Sequence, residues 1–478
     1  MTSVDTAPAP DRPHGAHDLE AELSVIPESA KTTDLYGQFW IWAGANIAPI
    51  NWILGALGVS MGLGLFETIA VLVVGNLIGM SLFGLFVVIG QQTGVTGMVL
   101  ARMVFGRRGA YVPAAVQALV CIGWCAVNTW IVLDLVMALL GRIGLVDPEL
   151  SNHGARILVA GIIMTTQVVI AWFGYRVISA FERWTVPPTV AVLVAMTAVA
   201  WFGLDVDWGY AGDATLTGAE HFTAITAVMT AIGIGWGITW LGYAGDYSRF
   251  VSTSVPARKL FFASALGQFI PVIWLGALGA TLATLSASSD PGEIIVDAYG
   301  VLAIPVLLLV VHGPLATNIL NLYTCAVSTQ ALDIRVNRRV LNVIIGVVAM
   351  ACVVYFVLNG DFAHTIDAWL VGIVGWLSPW AAVMLVHWFG VARRQVDAAT
   401  LLTPPDESPL PAVRPSALIA LAVGIFFTWL FMYGMVPVMQ GPIAVALGGV
   451  DLSWLAGGLV AGGLYAALEI PKARRAAA

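Results

Sequence analysis

Charge is what this 478-residue chain has least of: Asp, Glu, Lys and Arg make up 10% of it, against 59% apolar residues. A soluble globular domain carries about a quarter charged residues, so that class is excluded. Cysteine is scarce too, with only four. Cys121, Cys125, Cys325 and Cys352 lie in apolar stretches away from any oxidising loop, and read as small packing residues. Cys121 and Cys125 sit one helical turn apart, but no His or carboxylate close in sequence completes a metal site. HExxH and paired intramembrane aspartates are missing as well, which argues against a membrane-embedded enzyme. The polar start, with Pro8, Pro10, Pro13 and acids through Glu28, lacks the basic, apolar and small-residue succession of a signal peptide. It reads as a disordered cytosolic tail.

What is present is apolar length. Stretches near the roughly 20 residues that cross a bilayer as helix are centred near residues 49, 78, 125, 165, 194, 233, 272, 314, 349, 377, 426 and 457. Twelve spans with the N-terminus inside put every Lys and Arg except Arg142 and Arg156 on the inner side, as basic residues require. The outer loops collect acids instead, among them Asp205, Asp207, Asp213, Glu220, Asp290 and Glu293. A net charge of −7 is then a sum over two opposed surfaces and implies neither nucleic acid nor an obligate protein partner.

Two spans are irregular. The first contains WAGANIAPINW, where Gly44, Asn46 and Pro49 interrupt the apolar run, and the sixth contains GIGWGITW, where Gly233, Gly235 and Gly237 alternate around Trp236. Both are expected to unwind near mid-membrane, where loose backbone is tolerated only when it is buried in protein or lines a cavity. Alternate glycines share no helix face, so close packing explains them poorly, whereas it suits Gly242 and Gly245. Spans one and six open two successive five-span sets, the placement of a transporter site built from repeats.

The polar groups point to a planar, neutral solute. Trp124 and Asn128, four apart in the third span, put a flat ring beside an amide, and Trp236 supplies a second ring. The eighth span, HGPLATNILNLY, carries His312, Thr317, Asn318 and Asn321 with no fixed charge other than what His312 can acquire. Amides offer donors and acceptors together, like the edge of a nucleobase. Glu67 and Asp134 near the outer face, and His312, are the titratable groups that could relay a proton. Asp246 and Arg249, three apart, are expected to pair at the inner end of span six. An amino-acid symporter on the same fold, and a channel, are the competing readings.

These residues resemble the nucleobase-cation symport family, in its purine/cytosine permease branch. The likeness rests on Ile26-Pro27-Glu28, FWIWAGANIAP, FGRRGAYVP, GWCAVN and WLGYAGDYSRF, in order along most of the chain. It implies an all-α membrane fold of twelve helices: a LeuT-like five-plus-five inverted repeat with helices one and six broken, and two additional C-terminal helices. The expected organisation is a tail over 1–35, a transport core over 36–395, a cytosolic linker over 396–414, two helices over 415–470 and a cytosolic tail over 471–478. The resemblance further implies a plasma-membrane symporter in which Trp124 and Trp236 sandwich the base and Asn128 and Asn318 read its edge. Asn46, Gly235, Thr239 and His312 are grouped with them. No cofactor is expected, only a co-transported Na+ or H+. A sodium site would take carbonyls of Ala43, Asn46 and Ile47 with the Thr317 hydroxyl, while Ala316 lacks the oxygen that other members place there.

Overall fold

A computed structural model describes residues 23–477, apart from 49, 150, 174, 286–290 and 360–361. The described residues form helices and the turns that join them, which follows from their medium: a backbone in hydrocarbon must satisfy its own hydrogen bonds. The principal helices are α1 (Leu35–Asn46), α2 (Ile50–Ser60), α3 (Leu65–Thr93), α4 (Tyr111–Arg142), α5 (His153–Phe173), α6 (Tyr175–Gly203) and α7 (Gly218–Val228). They continue with α8 (Gly235–Thr239), α9 (Leu241–Ser248), α10 (Ala257–Ala283), α11 (Pro291–Tyr299), α12 (Ala303–Val310), α13 (His312–Gln330), α14 (Arg338–Asn359), α15 (Phe362–Val386), α16 (Pro415–Leu430) and α17 (Ser453–Ala477). Among the described residues, nine helical segments are long and apolar enough to cross a membrane. Three shorter apolar helices, Ile50–Ser60, Pro187–Gly203 and Pro415–Leu430, fall where the first, fifth and eleventh spans are expected.

The first span breaks where the sequence indicates. α1 stops at Asn46, Ile47 leaves helical geometry at φ −82° and ψ 70°, and α2 resumes at Ile50. Pro49 lies outside the described residues. Asn46 and Asn51 make good part of the lost ladder. Asn46 Nδ2 donates to the Trp42 carbonyl at 2.8 Å, and Asn51 Nδ2 to the Asn46 carbonyl at 2.5 Å.

The sixth span does not unwind. It runs as α7, a π-helical stretch over Met229–Ile234, then α8 and α9 with an irregular step at Trp240. The glycines are accounted for by packing after all, contrary to the expectation from their alternation. A Cβ on Gly233 would sit 2.8 Å from the Gly75 Cα, and one on Gly237 2.6 Å from the Gly79 carbonyl carbon. Gly75 and Gly79 on α3 and Gly233 and Gly237 on the sixth span are both four apart, so two small-residue stripes let the backbones touch. Gly237→Ala is therefore expected to lower the melting temperature and the monodisperse yield of purified protein, whereas Gly44→Ala, with nothing within 4 Å of its new methyl, leaves both near wild type. Equal behaviour of the two variants would contradict the contact.

The ends of the core are tied down. Residues 23–34, expected within the disordered tail, pack instead: the Ile26 N–H donates to the Gly94 carbonyl, and Thr33 bridges to Val251. Glu28 takes the Ser252 hydroxyl and pairs with Lys31 at 3.0 Å, which together hold its carboxyl down at about 2. The loop between α3 and α4 contains two buried arginines aimed at Asp333, in the connection from α13 to α14. Arg107 makes two bonds of 2.8 Å to that carboxylate and Arg102 one of 3.5 Å. Arg102 also donates to the carbonyls of Leu401 and Ala331, and Arg107 to that of Thr403, so the linker is ordered against the core. α17 continues to Ala477, beyond the expected end of the last span at 470.

Candidate functional site

The break in the first span, the π-helical sixth span, α4 and α13 meet around one cavity. Ala45, Ile50, Trp124, Asn128, Trp236, Thr239, Trp240, Tyr243, Thr317 and Asn321 line it. No carboxylate, guanidinium or ammonium is among these residues. The cavity volume is about 10 Å³, about the space that one water occupies. A heterocycle enters only if these walls separate.

The side chains named from the sequence are joined in pairs across the cavity. Trp236 Nε1 donates to Asn46 Oδ1 at 3.0 Å, fixing one indole on the broken first span. Trp124 Nε1 donates to Thr239 Oγ1 at 3.3 Å, which links α4 to α8. The two indoles meet edge to face, with centroids 5.5 Å apart and planes at 88°, not in the parallel pair that a sandwich needs. Asn128 Nδ2 reaches Asn318 Oδ1 at 3.1 Å.

Asn318 lies behind the wall, fully buried, with its nitrogen near the Cys125 carbonyl, Thr129 Oγ1 and Gln167 Oε1 at 3.0–3.2 Å. Gly235 faces away, toward the Thr230 carbonyl and Val374. The side chain of His312 lies outside the described residues. Sequence reasoning left out four residues of the wall, Ala45, Ile50, Trp240 and Tyr243, and gave Asn321 no role. Asn321 stands one turn after Thr317, and that spacing was the available signal. Tyr243 could not be found this way, because its place depends on how α9 sits against α13.

Below the cavity α9 is fastened to α13. Tyr243 Oη donates to Asn321 Oδ1 at 3.0 Å, Tyr247 Oη to the Leu320 carbonyl at 3.4 Å and Arg249 Nη2 to Tyr323 Oη at 2.9 Å. Asp246 and Arg249 do not form the expected ion pair. Asp246 Oδ1 accepts the Gly97 N–H at 3.0 Å, while Arg249 turns to Tyr323 and the Ser24 carbonyl. The outer acids are engaged as well: Glu67 with His221 at 2.7 Å, and Asp134 with Arg156 at 2.5 Å, both of the latter buried.

Of the residues expected to hold sodium, Thr317 meets carbonyls outside that set. Thr317 Oγ1 lies 3.2 Å from the Ala45 carbonyl and 3.1 Å from that of Gly313. A Cβ on Gly313 would come within 2.7 Å of the Ile47 carbonyl oxygen, so glycine lets α13 approach the open end of α1. The Ala43 carbonyl accepts from the Ile47 N–H and the Asn46 carbonyl from Asn51, each leaving one lone pair.

Known proteins agree with this architecture. Mhp1, a nucleobase-cation-symport-1 family transporter in a closed conformation with bromovinylhydantoin bound, superposes with a TM-score of 0.74 at 20% identity, over 95% of this chain and 94% of that one. A Na+-coupled sialic acid symporter shares the fold more distantly, with a TM-score of 0.59 at 12% identity over 94% and 91% of the two chains. In sequence, a putative purine-cytosine permease of Bacillus subtilis (strain 168), YxlA, is 26% identical over 95% of this chain and 96% of its own. The family model described as permease for cytosine/purines, uracil, thiamine and allantoin matches residues 25–457. The protein is thus a multi-pass membrane transporter and not an enzyme, and the chain belongs to the nucleobase-cation-symport-1 family.

Proposed function

We propose that the protein imports a neutral nucleobase or closely related heterocycle, such as cytosine, uracil, a purine or an allantoin-like ring, together with a cation by alternating access. The observation that carries this reading is the cavity wall: three indoles and two amides converge on it with no charged side chain. Indoles bury flat rings and add about 0.5–1.5 kcal/mol per aromatic pair beyond area burial, and amides match mixed donor and acceptor edges. A substrate carboxylate would find no positive partner there, which disfavours the amino-acid reading.

The cycle follows from the collapsed cavity. Trp124 and Trp236, now edge to face, separate to admit the ring, and Asn128 and Asn321 meet its edge. Release inward requires α9 to part from α13, breaking the Tyr243, Tyr247 and Arg249 contacts. The cation sits at the first-span break, on the Ala43, Asn46 and Ile47 carbonyls and Thr317. Glu67 and Asp134 are already held in pairs, which weighs against a proton carried by either of them and leaves sodium, or a proton on His312, as the coupling ion. One inward charge contributes about 2.3 kcal/mol per 100 mV of membrane potential. Twelve spans, an inverted five-plus-five core, both termini inside and a plasma-membrane location complete the proposal.

The test is a melting-temperature screen of purified protein against nucleobases and amino acids, in sodium and in potassium. A ligand of the folded state alone stabilises by RT ln(1 + [L]/Kd). A base that raises the melting temperature more in sodium supports the reading, and a response to amino acids alone overturns it.

A further inference from the structure

An asparagine amide looks nearly the same after a half-turn, so a wall of amides has no donor and acceptor order of its own. Its neighbours must impose one. The Cys125 main-chain carbonyl can only accept, and it lies 3.0 Å from one end of the Asn318 amide. That end must be the nitrogen, which also has Thr129 Oγ1 and Gln167 Oε1 within reach. Asn318 Oδ1 therefore faces Asn128 and Asn321, and both must turn their nitrogens to it, each at 3.1 Å. Asn321 in turn presents its oxygen to Tyr243, whose hydroxyl donates at 3.0 Å while accepting from Cys121 Sγ at 3.3 Å.

The order comes at a cost. Gln167 Nε2 is left buried without a hydrogen-bond partner, a loss that a concerted flip of the amides would repair. The flip would set two oxygens, Asn318 Oδ1 and the Cys125 carbonyl, against each other. Backbone geometry in α4 therefore decides the polarity, and Tyr243 closes the far end of the row.

Resting on the nucleobase reading above, we infer that Tyr243 is a positioning residue for substrate selectivity. Its hydroxyl takes one of the two lone pairs of the Asn321 oxygen and weakens it as an acceptor, leaving the amide nitrogen as the stronger hydrogen-bonding end on the α13 side of the wall. At that position an oxo group, as in uracil or hypoxanthine, is favoured over the amino group of cytosine or adenine. Removing the hydroxyl frees the Asn321 oxygen for an amino group.

Matched bases read this directly. Uracil and cytosine are close in size, but one carries an oxo group where the other carries an amino group, and the adjacent ring nitrogen reverses its role; hypoxanthine and adenine make the same comparison in a larger ring. Tyr243→Phe keeps the ring that packs 5.3 Å from Trp240. It is expected to raise the ratio of uracil Kd to cytosine Kd about tenfold, the scale of one net hydrogen bond. The Asn321→Ala background, which lacks the oxygen, should show no further change in the ratio when Tyr243→Phe is added. If Tyr243→Phe shifts both bases by one factor or neither, or changes the ratio equally without Asn321, the inference is wrong and Tyr243 is structural. Wild-type protein that binds no base at all overturns the proposed function, and this inference with it.

Discussion

Trp124→Ala and Trp236→Ala are each expected to weaken nucleobase binding by about a hundredfold or more, while the protein stays folded and monodisperse. Such a loss combines the buried area of an indole, on the order of 2–3 kcal/mol, with about 1 kcal/mol of ring-on-ring interaction. The two variants differ in what else they release. Trp124→Ala frees Thr239, whereas Trp236→Ala frees Asn46 at the end of α1 and should also weaken any sodium dependence. Isothermal titration of both purified variants checks this. Unchanged affinity in both would remove the indoles from the substrate site.

Asp333→Asn is expected to be among the most destabilising single changes outside the spans, at roughly 3 kcal/mol. The carboxylate faces two guanidiniums that are about 2% exposed, and its loss leaves both buried without a counter-charge. Asn is the right replacement because Asp333 has a φ of +62°, a left-handed backbone that Asn adopts with little strain and Ala does not. Burial pushes the Asp333 carboxyl up, but the bonds from Arg107 and Tyr111 and the charge of Arg102 outweigh it and hold it below its ordinary value. Its contribution is therefore present above the usual carboxylate range and is lost as the pH falls through the lowered value. Wild type should lose melting temperature on acidification below about pH 4 more steeply than Asp333→Asn. Parallel pH profiles would contradict the clamp.

The sequence makes some of this legible and hides the rest, for physical reasons. Trp124 and Asn128 lie on one helix, so their common face follows from spacing alone. The first break is equally plain, since Gly44, Asn46 and Pro49 disfavour helix whatever surrounds them. The sixth span was misread because Gly233 and Gly237 acquire meaning only against Gly75 and Gly79, about 160 residues earlier. Asp246 and Arg249 have the right spacing for a pair, but each finds a partner on another element, the Gly97 N–H and Tyr323. Asn318 is expected at the base from the family resemblance. The register between α4, α5 and α13 turns it toward Cys125 and Gln167, and gives the wall position to Asn321. Spacing within one helix reports a face; it does not report what that face meets.

The measurement that bears most directly on the transport reading is uptake of labelled cytosine, uracil, hypoxanthine and allantoin into proteoliposomes under an inward sodium gradient, with Trp124→Ala as control. Saturable accumulation of at least one of them above the external concentration, abolished by collapsing the gradient and by the substitution, is the expected result. Folded protein that accumulates none of them, while concentrating an amino acid under the same gradient, would contradict it.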